Sequence, residues 1–209
     1  MPPSSYEFIE RVVGVGHLAG IEVERATPAG VPPTIDARSL EPKIIGGAAA
    51  EHYRDYLARN EARLRTPRVL ADVEQDRFDA IVIPGGHGPV EDLYKDPDMG
   101  RLLVQANRAS KLIASVCHGP AALLAATDED GSWPFAGRKL TAFSDEEEIE
   151  FGTAKNAPWL LADTLRKRGA IYEKGPNWSS FVVRDGNLLT GQNPGSSAAL
   201  AEAVIAALR

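Results

Sequence analysis

The chain has a single cysteine, Cys117, among its 209 residues. One cysteine cannot form an internal disulfide, so oxidative cross-linking plays no part in the predicted fold. No apolar run approaches the ~20 residues that a membrane-spanning helix needs. Residues 1–11 also lack the basic start and the apolar core of a secretory signal. We therefore expect a cytoplasmic protein with no membrane partner.

An excess of positive charge is also missing. The 23 Lys and Arg residues stand against 29 Asp and Glu residues, which gives a formal net charge of -6. This balance argues against a nucleic-acid partner. The four histidines and the cysteine are scattered along the chain without the spacing of a metal site. We accordingly predict neither nucleic-acid binding nor a bound metal.

Short apolar runs alternate with helical patterns along the chain. The predicted strands lie at 20–28, 79–83, 111–117, 139–144 and 170–174, with a hairpin over 181–191 that turns at Asp185-Gly186. The predicted helices lie at 48–65, 96–110, 118–127, 157–169 and 193–209. This alternation is typical of an α/β sandwich with a mostly parallel sheet. No linker divides the chain, so we expect a single domain over residues 1–209.

Cys117 follows a buried apolar run, residues 112–116, and precedes a predicted helix. This strand–turn–helix context is that of a nucleophile elbow, in which a tight turn presents a reactive side chain. Gly119 allows the backbone to turn closely, and Pro120 is suited to the first turn of a helix. At the start of that helix, the positive end of the helix dipole favours the thiolate form of Cys117. A buried structural cysteine is the alternative. The elbow context and the adjacent His118 favour the nucleophile.

A second turn, within residues 83–93, also ends a predicted buried strand and leads into a helix. Gly85 and Gly86 allow backbone N–H groups to approach a bound anion. Two such turns on neighbouring strands form a crevice beyond the carboxyl ends of the sheet, where ligands bind in this class of fold. His87 in the same turn is interpreted as a surface residue.

An acidic segment, residues 143–152, follows the third predicted buried strand. A carboxylate that faces His118 would orient the imidazole, as in a Cys-His-acid triad. The alternative is an acidic helix start that complements the helix dipole. The residues themselves leave both interpretations open.

Five motifs together resemble the ThiJ/PfpI superfamily: "VCHGPAAL", "PGGHGPVEDL", "FSDEEE", "APWLL" and "VVRDGNLLTGQNPGSS". The C-terminal motifs resemble its heat-shock chaperone-like branch, which includes glutathione-independent glyoxalases (glyoxalase III). The resemblance runs from about residue 7 to the end of the chain. It implies the class I glutamine amidotransferase-like fold, a flavodoxin-like three-layer sandwich with a mostly parallel central sheet.

The N-terminal strand of that fold is expected to be missing. Members of the superfamily begin with an apolar strand and a loop ahead of their first helix, whereas this chain begins almost at the helix. Three explanations stay open: a rearranged sheet, a substitute supplied by residues 1–16, or a truncated chain.

The resemblance implies a role for each matching position. Cys117 matches the nucleophile and His118 its neighbouring histidine. Glu148 matches the acid of the triad, with Glu147 as the fallback. Gly86 matches the glycine of the oxyanion hole, and the N–H of His118 is its second donor.

The resemblance also implies an early glutamate that contacts the cysteine and acts as acid and base. Glu7 is the nearest match, and Glu10 is the alternative. The implied activity is a cofactor-independent glyoxalase that converts methylglyoxal, a small aldehyde, to lactate, in a homodimer. The alternatives are an amidase, peptidase or deglycase that uses the same triad, a stress-protective holding chaperone with an oxidation-sensitive cysteine, and a pseudo-enzyme with a spoiled pocket.

Overall fold

The structure is a computed structural model, and it describes residues 20–35, 40–42 and 46–209. The α-helices of these residues are α1 (Gly47–Arg59), α2 (Glu61–Arg65), α3 (Gly88–Glu91), α4 (Pro97–Arg108), α5 (Asp145–Phe151), α6 (Leu161–Lys167) and α7 (Ser197–Ala207). The strands are β1 (Ala26–Thr27), β2 (Arg68–Val69), β3 (Ala80–Ile83), β4 (Leu112–Val116), β5 (Lys139–Leu140), β6 (Ile171–Tyr172), β7 (Val182–Asp185) and β8 (Leu188–Gly191). Helices in the 3₁₀ form span Leu70–Asp72, Gln75–Arg77, Leu93–Lys95, Gly119–Ala125 and Pro194–Ser196.

The main sheet has the strand order β3-β4-β8-β7. β3, β4 and β8 run parallel, and β7 pairs antiparallel with β8 through the hairpin. Two short parallel pairs, β1–β2 and β5–β6, form separate sheets. The predicted α/β architecture with a mostly parallel sheet is confirmed.

The central strand β4 is buried along its whole length, and its residues alternate between two apolar cores. Ile113 belongs to the core that includes α4 residues such as Leu103. Leu112, Ala114 and Val116 belong to the core that includes α7 residues such as Leu200. Because successive side chains of a strand point to opposite faces, this division puts one helical layer on each side of the sheet.

The edge of β3 away from β4 has no strand partner among the described residues. A cavity of about 180 Å³ lies along this edge, lined by β3 and by residues of β1 and β2 such as Ala26 and Arg68. Residues 1–19, which include the proposed substitute, lie outside the described residues.

The segment after Cys117, predicted as a helix over 118–127, is a 3₁₀ helix over Gly119–Ala125. Both of its ends meet other backbone closely. A Cβ on Gly119 would lie 2.7 Å from the Ile83 oxygen, and one on Gly100 would lie 2.3 Å from the Ala125 oxygen.

Other predicted elements differ in extent. The predicted strands at 20–28, 139–144 and 170–174 shorten to β1, β5 and β6, and the long helix 48–65 divides at Asn60 into α1 and α2. The hairpin turns one residue later than predicted, at Gly186-Asn187, because Asp185 pairs with Leu188. Among the described helices, none is long and apolar enough to cross a bilayer.

Candidate active site

Cys117 lies in a strained turn directly after β4. Its φ is 61°, in the left-handed region that residues other than glycine rarely adopt. Two backbone hydrogen bonds hold this conformation: the Cys117 N–H donates to the Gly191 oxygen, and the Phe143 N–H donates to the Cys117 oxygen, each at 2.9 Å. Such strain persists only where the surroundings enforce it, and it is common at active sites. The predicted nucleophile elbow is therefore present in the backbone.

The two glycine-containing turns of the sequence meet at this point. A Cβ on Gly119 would lie 2.7 Å from the Ile83 oxygen and 2.8 Å from the Pro84 oxygen, so only glycine fits there without a shift. Gly86, two residues beyond Pro84, has a φ of 96°. The end of β3 therefore packs directly against the elbow, and the two predicted turns are adjacent.

The imidazole of His118 lies between the thiol of Cys117 and the carboxylate of Glu148. Its Nδ1 lies 3.4 Å from Cys117 Sγ, and its Nε2 lies 2.5 Å from Glu148 Oε2. The imidazole ring also contacts the rings of His87 and Phe143, with centroids 4.6 and 4.5 Å away. Cys117, His118 and Glu148 are all buried, so these polar contacts are shielded from water.

Glu148 reaches His118 because the start of α5 is fixed by a capping box. The Ser144 hydroxyl accepts from the Glu147 N–H, while the Glu147 carboxylate accepts from the Ser144 N–H. Four acidic residues occupy the first turn, where the helix dipole favours them, and Gly152 ends the helix in the left-handed conformation. These signals are local, and they place Glu148 on the first turn above the elbow.

Glu147 is completely buried and has a different set of partners. Its Oε2 accepts from the backbone N–H and the hydroxyl of Ser144, and its Oε1 accepts from the Trp178 N–H and the Gln192 and Asn193 side chains. A buried carboxylate needs such donors to offset its lost hydration. Glu147 therefore ties α5 to the loop after β8, and only its neighbour Glu148 contacts the histidine.

The charges of the three site residues depend on one another. Burial lowers the pKa of His118, but the negative charge of the Cys117 thiolate, its hydrogen bond and the Glu148 carboxylate outweigh burial and raise the pKa to about 10. Burial raises the pKa of Glu148, but the hydrogen bond from His118 and the nearby His87 outweigh it and hold that pKa well below its usual range. At neutral pH His118 is therefore an imidazolium, which faces the sulfur of Cys117 on one side and the carboxylate of Glu148 on the other.

His87 is the site residue that the sequence analysis missed. Its side chain is 42% exposed, yet its Nε2 atom is shielded from solvent and lies 3.7 Å from Glu148 Oε1. The ligand atoms of His87, His118 and Glu148 lie within 4.8 Å of one another, close enough to hold a metal ion. Spacing along the chain could not reveal this group, because its members come from three separate elements. The sequence signal that pointed to this region was the prediction that the turn containing His87 and the turn containing Cys117 lie on neighbouring strands.

The structure thus brings together Cys117, His118 and Glu148 as the sequence analysis anticipated, with Gly86 on the adjoining turn. The fallback acid, Glu147, is directed to other partners. Glu7 and Glu10, the predicted acid and base, lie outside the described residues.

Comparisons with known proteins point to one family. A model of the DJ-1/PfpI family matches residues 48–207. A protein/nucleic acid deglycase HchA from Pseudomonas aeruginosa is 31% identical over 202 residues, which cover 89% of this chain and 67% of that protein. A glutamine amidotransferase-like class 1 domain-containing protein 1 from Bos taurus is 29% identical over 179 residues, which cover 86% of this chain and 77% of that protein.

A solved structure of similar fold is the crystal structure of glyoxalase III from Candida albicans. It superposes with a TM-score of 0.84 at 26% sequence identity, over 96% of this chain and 86% of that chain. The flavodoxin-like architecture inferred from the motifs is shared with this neighbour.

Proposed function

Because this chain belongs to the DJ-1/PfpI family, we propose that it is a cofactor-independent cysteine enzyme that converts methylglyoxal, or a related 2-oxoaldehyde, to the 2-hydroxy acid without glutathione. The family assignment agrees with the ThiJ/PfpI resemblance of the motifs. The observation that carries the proposal is the contact of Cys117 Sγ with His118, whose other nitrogen is hydrogen-bonded to Glu148. Similarity to glyoxalase III supports the choice of reaction.

The chemistry starts with addition of the Cys117 thiolate to the aldehyde carbon. A carbon–sulfur bond forms, and the carbonyl oxygen takes a proton to give a hemithioacetal. The proton on that carbon then moves to the neighbouring carbon through an enediol, which converts the hemithioacetal into a thioester of lactate. Water cleaves the thioester and returns the thiol. Overall, methylglyoxal and water give lactic acid, so no redox partner is consumed.

The described residues supply two of the required functions. The imidazolium of His118, held by Glu148, stabilises the thiolate and can donate the first proton. The N–H groups of Gly86 and His118 are the proposed donors to the developing oxyanion. The proton transfer between carbons is assigned to Glu7, with Glu10 as the alternative, and both lie outside the described residues.

The burial of the nucleophile favours a small substrate. Cys117 is 5% exposed and His118 is 4% exposed. A three-carbon aldehyde needs a much narrower approach to the sulfur than a folded protein or an extended peptide does. This argues for a 2-oxoaldehyde over a peptidase substrate.

The test is methylglyoxal consumption by purified protein in the absence of glutathione. Wild-type protein should consume the aldehyde and release lactate, whereas Cys117→Ser should not, because a serine hydroxyl remains protonated beside the imidazole. Ser197→Ala, which alters a buried hydroxyl on α7, controls for loss of a polar core atom. Equal rates in wild type and Cys117→Ser would refute the proposal, provided that both proteins unfold at the same temperature.

A deglycase reaction is the second candidate, favoured by the 31% identity to the HchA deglycase. In that reaction the thiolate displaces the amine from the hemiaminal carbon of a methylglyoxal adduct: a carbon–sulfur bond forms, the carbon–nitrogen bond breaks, and the amine leaves with a proton from His118. The resulting hemithioacetal then follows the steps above to lactate. Release of free amine from a methylglyoxal-treated amino acid, at a rate faster than free methylglyoxal is consumed, would favour the deglycase. The holding chaperone remains a third prediction, which suppression of client aggregation by Cys117→Ser would support.

A further inference from the structure

We propose that His87, His118 and Glu148 form a binding site for a divalent transition metal ion of the zinc class, and that the ion blocks the catalytic triad when it binds. The binding step is independent of the proposed function, because it concerns only the three side chains. The inhibition step rests on the proposed function.

The positions of the ligand atoms carry the inference. One ligand atom from each of His87, His118 and Glu148 lies within 4.8 Å of the other two. Tetrahedral zinc with bonds of about 2.0–2.2 Å holds its ligand atoms roughly 3.3–3.5 Å apart. His87 Nε2 is 3.7 Å from Glu148 Oε1, close to that spacing. His118 Nε2 is 2.5 Å from Glu148 Oε2, so this pair must open by about 1 Å to admit the ion.

The side chains match the chemistry of the ion. Two imidazoles and one carboxylate are a ligand set that zinc uses in proteins, with a fourth position open to water. His87 Nε2 is shielded from solvent and lacks a hydrogen-bond partner among the described residues. A metal bond would satisfy this nitrogen. His118 Nε2 gives up its proton to solvent when it binds the ion, so the metal takes the place of the proton between His118 and Glu148.

The site is reachable from outside, although two of its ligands are buried. The side chains of His118 and Glu148 are 5% and 7% exposed, whereas that of His87 is 42% exposed. His87 is therefore the ligand that an entering ion meets first. The sulfur of Cys117 contacts the other nitrogen of His118, Nδ1, so the proposed ligand set does not include it.

Occupation of this site would disable the triad. With the metal bound to Glu148 and to His118 Nε2, the Nε2 proton is displaced and Glu148 no longer accepts a hydrogen bond from the imidazole, so the ring loses the contact that orients it toward the sulfur. A zinc-bound protein should therefore lose the activity assigned above, and a chelator should restore it.

The test is titration of the purified protein with Zn²⁺ alone, followed by calorimetry or by competition with a chromophoric chelator. Wild-type protein should bind one ion, and His87→Ala should weaken binding by about tenfold or more. His52→Ala is the matched control, since His52 is exposed on α1 and should leave the affinity within about twofold. Circular dichroism of each variant checks that it is folded.

Two further results separate this site from simple thiol binding. Cys117→Ser should retain the affinity, and the Co²⁺-loaded protein should lack a thiolate charge-transfer band. The proposal is overturned if His87→Ala binds Zn²⁺ as tightly as wild type does, or if Cys117→Ser abolishes binding. Absence of glyoxalase activity would leave the binding result standing.

Discussion

Glu147 and Glu148 are neighbours in the sequence, yet their carboxylates have separate partners. Glu147 accepts five hydrogen bonds, from Ser144, Trp178, Gln192 and Asn193, and touches no histidine among the described residues. Glu148 lies 2.5 Å from His118 Nε2. One acid thus fixes the helix, and the next one orients the imidazole.

Glu148→Gln removes the negative charge at His118 while it keeps the shape of the side chain. We expect kcat/KM for methylglyoxal to fall by about 10²–10⁴-fold, as for other catalytic acid–base groups. The comparison is Glu150→Gln, the same change at an exposed position of α5. The assigned role of Glu148 is wrong if both variants keep wild-type activity.

Glu147→Gln tests the anchoring of α5. In this variant an NH₂ group replaces one of the two carboxylate oxygens that accept hydrogen bonds. Because the NH₂ group faces other donors, those buried donors lose their acceptor. The expected loss in the free energy of unfolding is about 1–3 kcal/mol, measured by urea denaturation. Glu146→Gln, at an exposed position of the same turn, should change stability by less than about 0.5 kcal/mol. Equal losses in the two variants would contradict the anchoring role.

The pKa of His118 gives a prediction for alkaline pH. A histidine whose pKa rises from 6.5 in the unfolded chain to about 10 in the folded protein adds stability that is fully present below pH 6.5. This contribution is lost as the pH rises toward 10. Nuclear magnetic resonance of the His118 ring should show titration near pH 10 in wild type and at lower pH in Cys117→Ser and Glu148→Gln. Titration near pH 6.5 in wild type would contradict the assigned charges.

The close approach at Gly119 predicts the effect of one added methyl group. In Gly119→Ala the new Cβ would lie 2.5 Å from Ser115 Oγ and under 3 Å from two backbone oxygens. The elbow and the turn at Pro84 must then separate, so we expect a loss of about 1–3 kcal/mol in stability together with reduced activity. Gly88→Ala meets nothing within 4 Å and should be tolerated. Thermal unfolding of the two variants makes the comparison.

The sequence predicts the buried strands well because their apolar runs are local signals. β3 and β4 were placed this way, and the capping residues of α5 are equally visible. The 3₁₀ form of Gly119–Ala125 was missed because it depends on backbone contacts with residues far away in the chain. The sequence analysis interprets His87 as a surface residue, because no pattern within residues 83–93 indicates that His87 lies next to Glu148 in the fold.

The acidic run 145–150 had two interpretations, and the structure combines them. Its exposed members form a solvated helix start, whereas Glu147 and Glu148 are buried. Burial of a carboxylate depends on distant donors, such as Asn193 and His118, which sequence patterns do not locate. The single domain over 1–209, the homodimer and the cytoplasmic location remain predictions.

The most direct test of the central claim is the rate at which iodoacetamide, a small alkylating reagent, modifies wild type and Glu148→Gln at pH 7. The chain has no other cysteine, so the alkylated thiol belongs to Cys117. The account predicts faster alkylation of wild type, in which His118 contacts the sulfur and is held by Glu148. Equal alkylation rates in the two proteins would contradict it.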